Sequence, residues 1–239
     1  MHRLFVSENC IDGEIITVSG EDVEHLHAVR VREGDTISVS DGVSRSFLAK
    51  AEQIRKNSVI LKIISESGFE HEPSVFLTVC IAVLKGDGCE EVIRHSVELG
   101  ASRIIFFSSE NCVADKRGKT DRFIKIARQA AMQSGRDIIP TVDGILTYNE
   151  MIKVLSEAEI GIFFHETATE PLYDYIKDKK IPRTVAFCVG PEGGFSDKEV
   201  EIARSNNIPI ISLGKRIMRA VTAPLYASSV IMSLFDGEH

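Results

Sequence analysis

From residue 73 onward, apolar runs alternate with segments of helical period, and this alternation constrains the fold more than any other feature of the chain. Phe76–Leu84 is an almost continuous apolar run, the pattern of a strand buried on both faces. A helix is expected over Glu90–Leu99, ended by Gly100, followed by a strand at Ile104–Phe107. The next helix spans Asp121–Ser134 and stops at Gly135. Thr147 and Glu150 have the spacing of a capping box that opens another. Strands at Ile160–Phe164, Thr184–Val189 and Ile208–Leu213 then alternate with helices near 171–178, at Asp197–Ser205 and from Ala223. Such alternation predicts a parallel sheet covered by helices on both faces.

Residues 1–70 have a different texture. Leu4–Val6, Ile15–Val18, Thr36–Ser40, Ser46–Ala51 and Ser58–Ile64 are short runs rich in β-branched residues. Asp41-Gly42 between two of them is a hairpin signal. One short helix near 21–29 has Ser19 and Asp22 at capping spacing. The reading is a small β module of the barrel kind at 1–70 and an α/β domain at 73–239. The boundary falls in the polar stretch between Gly68 and Pro73.

Composition excludes several classes. Of 239 residues, 44% are hydrophobic and 26% charged, as in an ordinary soluble protein, and no apolar run has the roughly 18 residues of a membrane span. The N-terminus lacks the pattern of a secretory signal. The five cysteines are odd in number and form no C-x-x-C pair, which disfavours a disulfide framework or a zinc knuckle and points to the cytoplasm. His25 and His27 are two apart on a helix and do not share a face, so no metal site is expected. The net charge is −7, yet residues 115–136 hold seven basic side chains against two acidic ones. That stretch is either a solvated helix face or a surface for phosphates.

In a parallel α/β sheet, ligands bind beyond the carboxyl ends of the strands. Three strand ends carry suggestive residues: His165-Glu166, Gly190–Ser196, and Ser212–Arg219 leading to Thr222. Gly190, Gly193 and Gly194 allow backbone to approach a ligand, and Ser196 with Glu199 forms a capping box. The glycines fit neither a P-loop nor a G-x-G-x-x-G fingerprint, and by themselves they suit a plain turn equally well. Thr222 reads as an N-cap, with Pro224 in the first turn. The helix beyond, Leu225–Phe235, is apolar enough to need a core or a partner subunit.

With these residues in view, the whole chain resembles the bacterial 16S ribosomal RNA (uracil-N3)-methyltransferases of the SPOUT superfamily. Met1–Val6, Lys85-Gly86-Asp87, Glu98–Ser102, Ala130–Arg136, His165-Glu166, Gly190–Ser196 and Leu213–Ala223 match the family's motifs in order. It departs from the family at Val221, where a glutamate is usual, and in 25–35, which is one residue shorter. The resemblance implies a PUA-like RNA-binding barrel, then a knotted α/β SPOUT methyltransferase domain. S-Adenosylmethionine would be held by His165, Glu166, Gly190, Pro191, Glu192, Gly193, Leu213, Gly214, Ile217, Met218, Thr222 and Ala223, leaving as S-adenosylhomocysteine. It also implies a homodimer with the last helix near the interface. The basic stretch becomes the candidate RNA face: Lys116, Arg117, Lys119, Arg122, Arg128 and Arg136, with Arg94.

The implied reaction moves a methyl from a sulfonium to N3 of a uridine in 16S ribosomal RNA, in the small ribosomal subunit. Arg219 is the candidate catalytic residue, a permanent cation placed to stabilise the uracil anion. No base is identifiable in the sequence. Two rival readings are a related ribose 2′-O-methyltransferase and an RNA-binding assembly factor with catalysis weakened at Val221.

Overall fold

The computed structural model describes residues 2–113 and 119–236. Two compact units emerge, Met1–Glu72 with Ala131–Ile139, and Pro73–Ala130 with Pro140–His239. The first contains β1 (His2–Phe5), β2 (Ile11–Asp12), β3 (Ile15–Ser19), α1 (Glu21–Ala28), β4 (Thr36–Ser40), β5 (Ser46–Ile54) and β6 (Ser58–Ser67). Its single sheet runs β1-β4-β5-β6-β3-β2. Only β1 and β4 pair in parallel. Two register shifts between β5 and β6 are the irregularities that bend and twist a sheet. The alternating apolar positions of these strands form the core, including Leu4, Ile16, Ile37, Val39 and Leu61, with Val23 and Leu26 of α1 laid on it. At the β4–β5 hairpin the Asp41 carboxylate accepts the N–H groups of Val43, Ser44 and Arg45, and Gly42 takes φ +78°, which is why Asp-Gly stands there. The expected cap at Ser19 is displaced by one residue: Gly20, at φ +69°, holds the N-cap position of α1.

The second unit contains β7 (Phe76–Ala82), α2 (Gly88–Glu98), β8 (Arg103–Phe107), α3 (Thr120–Ser134), β9 (Thr141–Leu146), α4 (Tyr148–Glu157), β10 (Ile160–Phe164), α5 (Leu172–Ile176), β11 (Thr184–Val189), α6 (Asp197–Ser205), β12 (Ile210–Ile211) and α7 (Thr222–Phe235). The last turn of α3 belongs to the first unit. All six strands are parallel, in the order β12-β10-β11-β7-β8-β9. β7 and β11 are central, and apart from Phe76 at its start β7 is buried throughout, as a two-sided strand requires. Gly100 and Gly135 take φ +87° and +77° behind α2 and α3. Both capping boxes, Thr147/Glu150 and Ser196/Glu199, are formed. β9 was not expected: Asp143 and Gly144 interrupt its apolar pattern, which only an edge strand tolerates. No helix among the described residues is long and apolar enough to cross a membrane.

The segment 131–139 belongs to the first unit because of one buried carboxylate. Asp137 is 1% exposed and pairs with Arg3, itself 8% exposed. Its carboxylate also accepts the Ser46 hydroxyl at 3.0 Å and the His71 backbone N–H at 3.2 Å. Its backbone carbonyl takes the Ser40 hydroxyl at 2.6 Å. Beside it, Glu72 pairs with Arg136 and accepts the N–H groups of Asp137 and Ile138 at 2.8 and 2.9 Å. Met132 packs on the first unit's core. A boundary drawn at residues 70–73 alone does not contain this returning segment. Burial by itself pushes the Asp137 carboxyl up, but the hydrogen bonds and charge of Arg3, with those of His71 and Ser46, outweigh it and hold it below the usual carboxylate value.

Removing Asp137 leaves Arg3 buried without its partner. Asp137→Ala is expected to cost about 3–5 kcal/mol in urea unfolding. A depressed carboxyl adds stability that is present above its unfolded pKa, near 3.9, and is lost as pH falls through the lower folded value. The acid limb of the wild-type stability profile below about pH 4 should therefore flatten in the variant. An Asp137→Ala protein with wild-type stability and acid profile would refute the role of this pair.

Candidate active site

The loops after β10, β11 and β12 converge at the carboxyl edge of the sheet because these strands are neighbours on one side of it. They enclose a cavity of about 660 Å³. The first loop contributes His165 and Glu166. The second contributes Gly190, Pro191, Glu192 and Gly193. The third contributes Leu213, Gly214, Ile217 and Met218, with Ala223 from the start of α7. Arg219 also lines it, beside Val221 and the cations Lys215 and Arg216, which sequence reasoning left out of the site. Their position between Gly214 and Arg219 was a signal for them.

Thr222 alone among the expected cofactor positions does not line the cavity. Nor is it the N-cap: that position is Val221, and Thr222 is the first helical residue. The reason is local. The Arg219 carbonyl accepts the N–H groups of both Thr222 and Ala223, at 2.9 and 3.0 Å, so the first turn closes without a side-chain acceptor. The same two bonds tie the backbone of Arg219 to the helix start, while its side chain remains exposed at the cavity.

The glycine-rich loop is shaped from behind. The Phe195 ring packs on Phe163 at 4.3 Å between centroids and stacks with Phe107 at 6.2 Å. A Cβ on Gly190 would lie 3.0 Å from that ring, so glycine fits and a side chain crowds it. Gly194 turns at φ +69°, with its N–H on the Pro191 carbonyl. Beneath the turn, Glu199 is 2% exposed, and its carboxylate accepts the N–H groups of Ser196 and Glu110 and the hydroxyl of Ser109 at 2.9–3.1 Å. Glu192 accepts the N–H of Lys85, from the Lys85-Gly86-Asp87 segment, at 3.0 Å. In the third loop Gly214 takes φ +113° and its N–H meets the Ser212 hydroxyl at 3.1 Å. His165 is fixed by a 2.8 Å contact between Nδ1 and the Thr167 hydroxyl.

Burial favours the protonated form of three thiols in this domain. Cys80 and Cys188 are register partners on β7 and β11, both fully buried. Burial pushes Cys80 up to about 12 and Cys188 well above its ordinary value. Burial also raises the half-buried Cys112. None has the depressed pKa of a nucleophilic cysteine. Among the described residues, no three His, Cys, Asp or Glu side chains gather in a way that could hold a metal ion.

The basic stretch divides. Lys116 and Arg117 lie outside the described residues. Lys119 and Lys125 are exposed, and Arg128 is half-buried. Arg122 closes on the buried Glu90 carboxylate of α2 with two contacts of 2.8 Å, and Arg94 stands 3.7 Å from the same group. Arg136 is a correction to the expected RNA face. It is 4% exposed and its guanidinium is spent on Glu72, so it offers no surface to a phosphate. On α7, Ala223, Ala227, Ile231 and Phe235 face the core, while Leu225, Val230 and Leu234 are half-covered and Tyr226 is exposed.

Comparison with known proteins agrees with this arrangement. Residues 70–232 match the model of an RNA methyltransferase domain, and residues 18–64 that of an RNA methyltransferase PUA domain. The ribosomal RNA small subunit methyltransferase E of Synechocystis is 30% identical over 241 positions, covering 99% of this chain and 78% of the relative. The protein of that name from Neisseria gonorrhoeae, solved with S-adenosyl methionine bound, superposes with a TM-score of 0.86 at 28% identity over 98% of both chains. A methyltransferase from Legionella pneumophila in complex with the same cofactor gives 0.84 at 25% identity, over 97% of this chain and 96% of the other. A PUA-like first domain, a SPOUT-type α/β second domain and these matches together place the chain in the ribosomal RNA small subunit methyltransferase E family.

Proposed function

We propose that this protein transfers a methyl group from S-adenosylmethionine to N3 of a specific uridine in 16S ribosomal RNA. The observation that carries the reading is the convergence of three loops on one cavity, lined by every expected cofactor position except Thr222. The fit of the cofactor rests on size and on donor chemistry. About 660 Å³ lies within the range of small-molecule sites. The second and third loops place Gly190, Gly193 and Gly214 on the lining, where amide and carbonyl groups can reach a ligand with no side chain of their own between.

When bound, the cofactor supplies a methyl already activated by its sulfonium charge, and the protein's task is to orient and to stabilise. The three loops hold the donor, and Arg219 faces the place where the uracil ring would lie. As N3 loses its proton, negative charge spreads to the flanking uracil oxygens, and the guanidinium of Arg219 lowers its energy. Lys215 and Arg216 on the same loop add positive potential for a phosphodiester chain. Holding the ring nitrogen in line with the methyl supplies much of the remaining acceleration. Water serves as the proton acceptor.

The same reading assigns the rest of the chain. The PUA-like barrel grips RNA, and Lys125 and Arg128 of α3 meet phosphates, with Lys119 just before the helix; Lys116 and Arg117 are assigned to the same role from the sequence alone. Arg94 and Arg122 stand at the edge of this face through Glu90. In this reading the segment threading the cofactor loops forms a trefoil knot, and two copies associate through the uncovered side of α7. The protein works in the cytoplasm on the small ribosomal subunit. The domain limits are 1–70 and 73–239, with 131–139 returning to the first.

Arg219→Ala should reduce methyl transfer to small-subunit RNA by about 10²–10³-fold, the loss typical of an oxyanion-stabilising group. Val221→Glu adds a carboxylate at a helix N-terminus, an effect of about 0.3–1 kcal/mol, and should change the rate less than about fivefold. Tritiated methyl incorporation measures both. A fully active Arg219→Ala enzyme, or an inert wild type strongly rescued by Val221→Glu, would contradict the assignment.

Two surface predictions accompany it. Lys119→Gln with Lys125→Gln should weaken RNA binding and reduce the log–log salt slope by about 0.7–0.9 for each phosphate no longer neutralised, leaving cofactor affinity unchanged. An unaltered slope would make α3 a mere solvated face. Light scattering at micromolar concentration should give twice the chain mass, and Leu225→Glu with Leu234→Glu should halve it. A monodisperse wild-type monomer would rule out the dimer.

A further inference from the structure

The glycine-rich loop is gripped by a side chain outside the three cavity loops. Asn111 lies beyond β8, and its Nδ2 donates to the carbonyl oxygens of Gly193 at 3.3 Å and Gly194 at 3.1 Å. The approach is close: a Cβ on Gly193 would come within 3.1 Å of the Asn111 Cβ. Asn111 is itself held in place. The Ser109 carbonyl accepts the Cys112 N–H at 3.0 Å, closing a tight turn around it, and the Cys112 thiol donates to the Val83 carbonyl at 3.5 Å. On the other side of the turn, Ser109 and Glu110 are fastened to the buried carboxylate of Glu199.

We infer that Asn111 is a positioning residue for the cofactor loop, acting through the peptide planes at Gly193 and Gly194. Glycine backbone has wide conformational freedom, and two adjacent glycines make this the most easily reoriented stretch of the cavity wall. One primary amide bridging both carbonyls fixes which way those two peptides face. It thereby fixes the N–H groups of Gly194 and Phe195, since each shares a peptide plane with a gripped carbonyl. The Gly194 N–H is committed to Pro191, so the turn is closed from both sides. Glu199 anchors the start of α6 and the β8 loop, whereas Asn111 alone among the described side chains donates hydrogen bonds to the glycine carbonyls themselves. The inference rests on the reading of the cavity as the S-adenosylmethionine site, but the grip on the loop can be measured without the cofactor.

The decisive variant is Asn111→Asp, which keeps the shape and replaces a donor by an oxygen that repels both carbonyls, with Asn111→Ala as a second that only deletes the amide. Asn111 is exposed, so both should fold. In the protein without cofactor, amide exchange at Gly193–Phe195 should quicken while that of α6 is unchanged. Calorimetric Kd for S-adenosylmethionine, and KM for it, should rise about tenfold, the scale of one or two lost hydrogen bonds, with kcat at saturating cofactor within about twofold of wild type. Unchanged exchange and unchanged Kd in both variants would overturn the role of Asn111. So would a drop in thermal stability with no change in Kd, which marks a purely structural contact. A wild-type protein that bound no S-adenosylmethionine would instead overturn the reading of the cavity itself.

Discussion

A carboxylate taken out of water must have its oxygens satisfied, and Glu199 meets that demand in a way that organises the whole edge of the second domain. One oxygen receives the N–H of Glu110, and the other receives the Ser109 hydroxyl and the N–H of Ser196. The Tyr148 hydroxyl adds a 2.6 Å bond to the Glu199 carbonyl, bringing in the start of α4. The loop after β8, the glycine-rich loop and two helix starts thus share one buried residue. With Phe195 stacked between Phe163 and Phe107, the loop has a rigid floor even though its rim is glycine. A flexible backbone on a fixed floor suits a site that must meet its ligand through amides and carbonyls.

The same economy of charge governs the surfaces. The chain is acidic overall, so attraction of RNA depends on where cations stand rather than on how many there are. Two arginines of the basic stretch are paired with largely buried carboxylates, the exposed Arg122 with Glu90 and the buried Arg136 with Glu72. The cations proposed to meet phosphates are then Lys125 and Arg128 on α3, with Lys119 just before it, and the Lys215-Arg216-Arg219 group at the cavity. This separates a general phosphate surface from a local one, where charge can act on the base being modified.

In the first domain the analogous constraint is the Arg3–Asp137 pair. Arg3 comes from the first strand and Asp137 from a segment more than a hundred residues later, so the pair forms only after the whole of α3 has been made. The domain is accordingly discontinuous in sequence, and its stability is linked to a segment that begins in the last turn of α3.

Much of this was legible in the residues. Period and burial pattern determined the strand–helix alternation, because a two-sided strand cannot hide polar groups and a helix start needs its N–H groups capped. Thr147/Glu150, Ser196/Glu199 and the glycines behind α2 and α3 are local solutions written within a few positions. The cavity loops were legible for the same reason, each being a short motif at a strand end. What the tertiary structure alone decided involves partners far apart in the chain. It buried Arg136 against Glu72, although Arg136 reads as a surface cation, and it tied the exposed Arg122 to the buried Glu90. It made β9 a strand by giving it β8 as a neighbour. It also brought Asn111 to Gly193. Sequence encodes hydrogen bonds that close within one turn. Those that close across tens of residues depend on which elements pack together, and only the folded chain settles that.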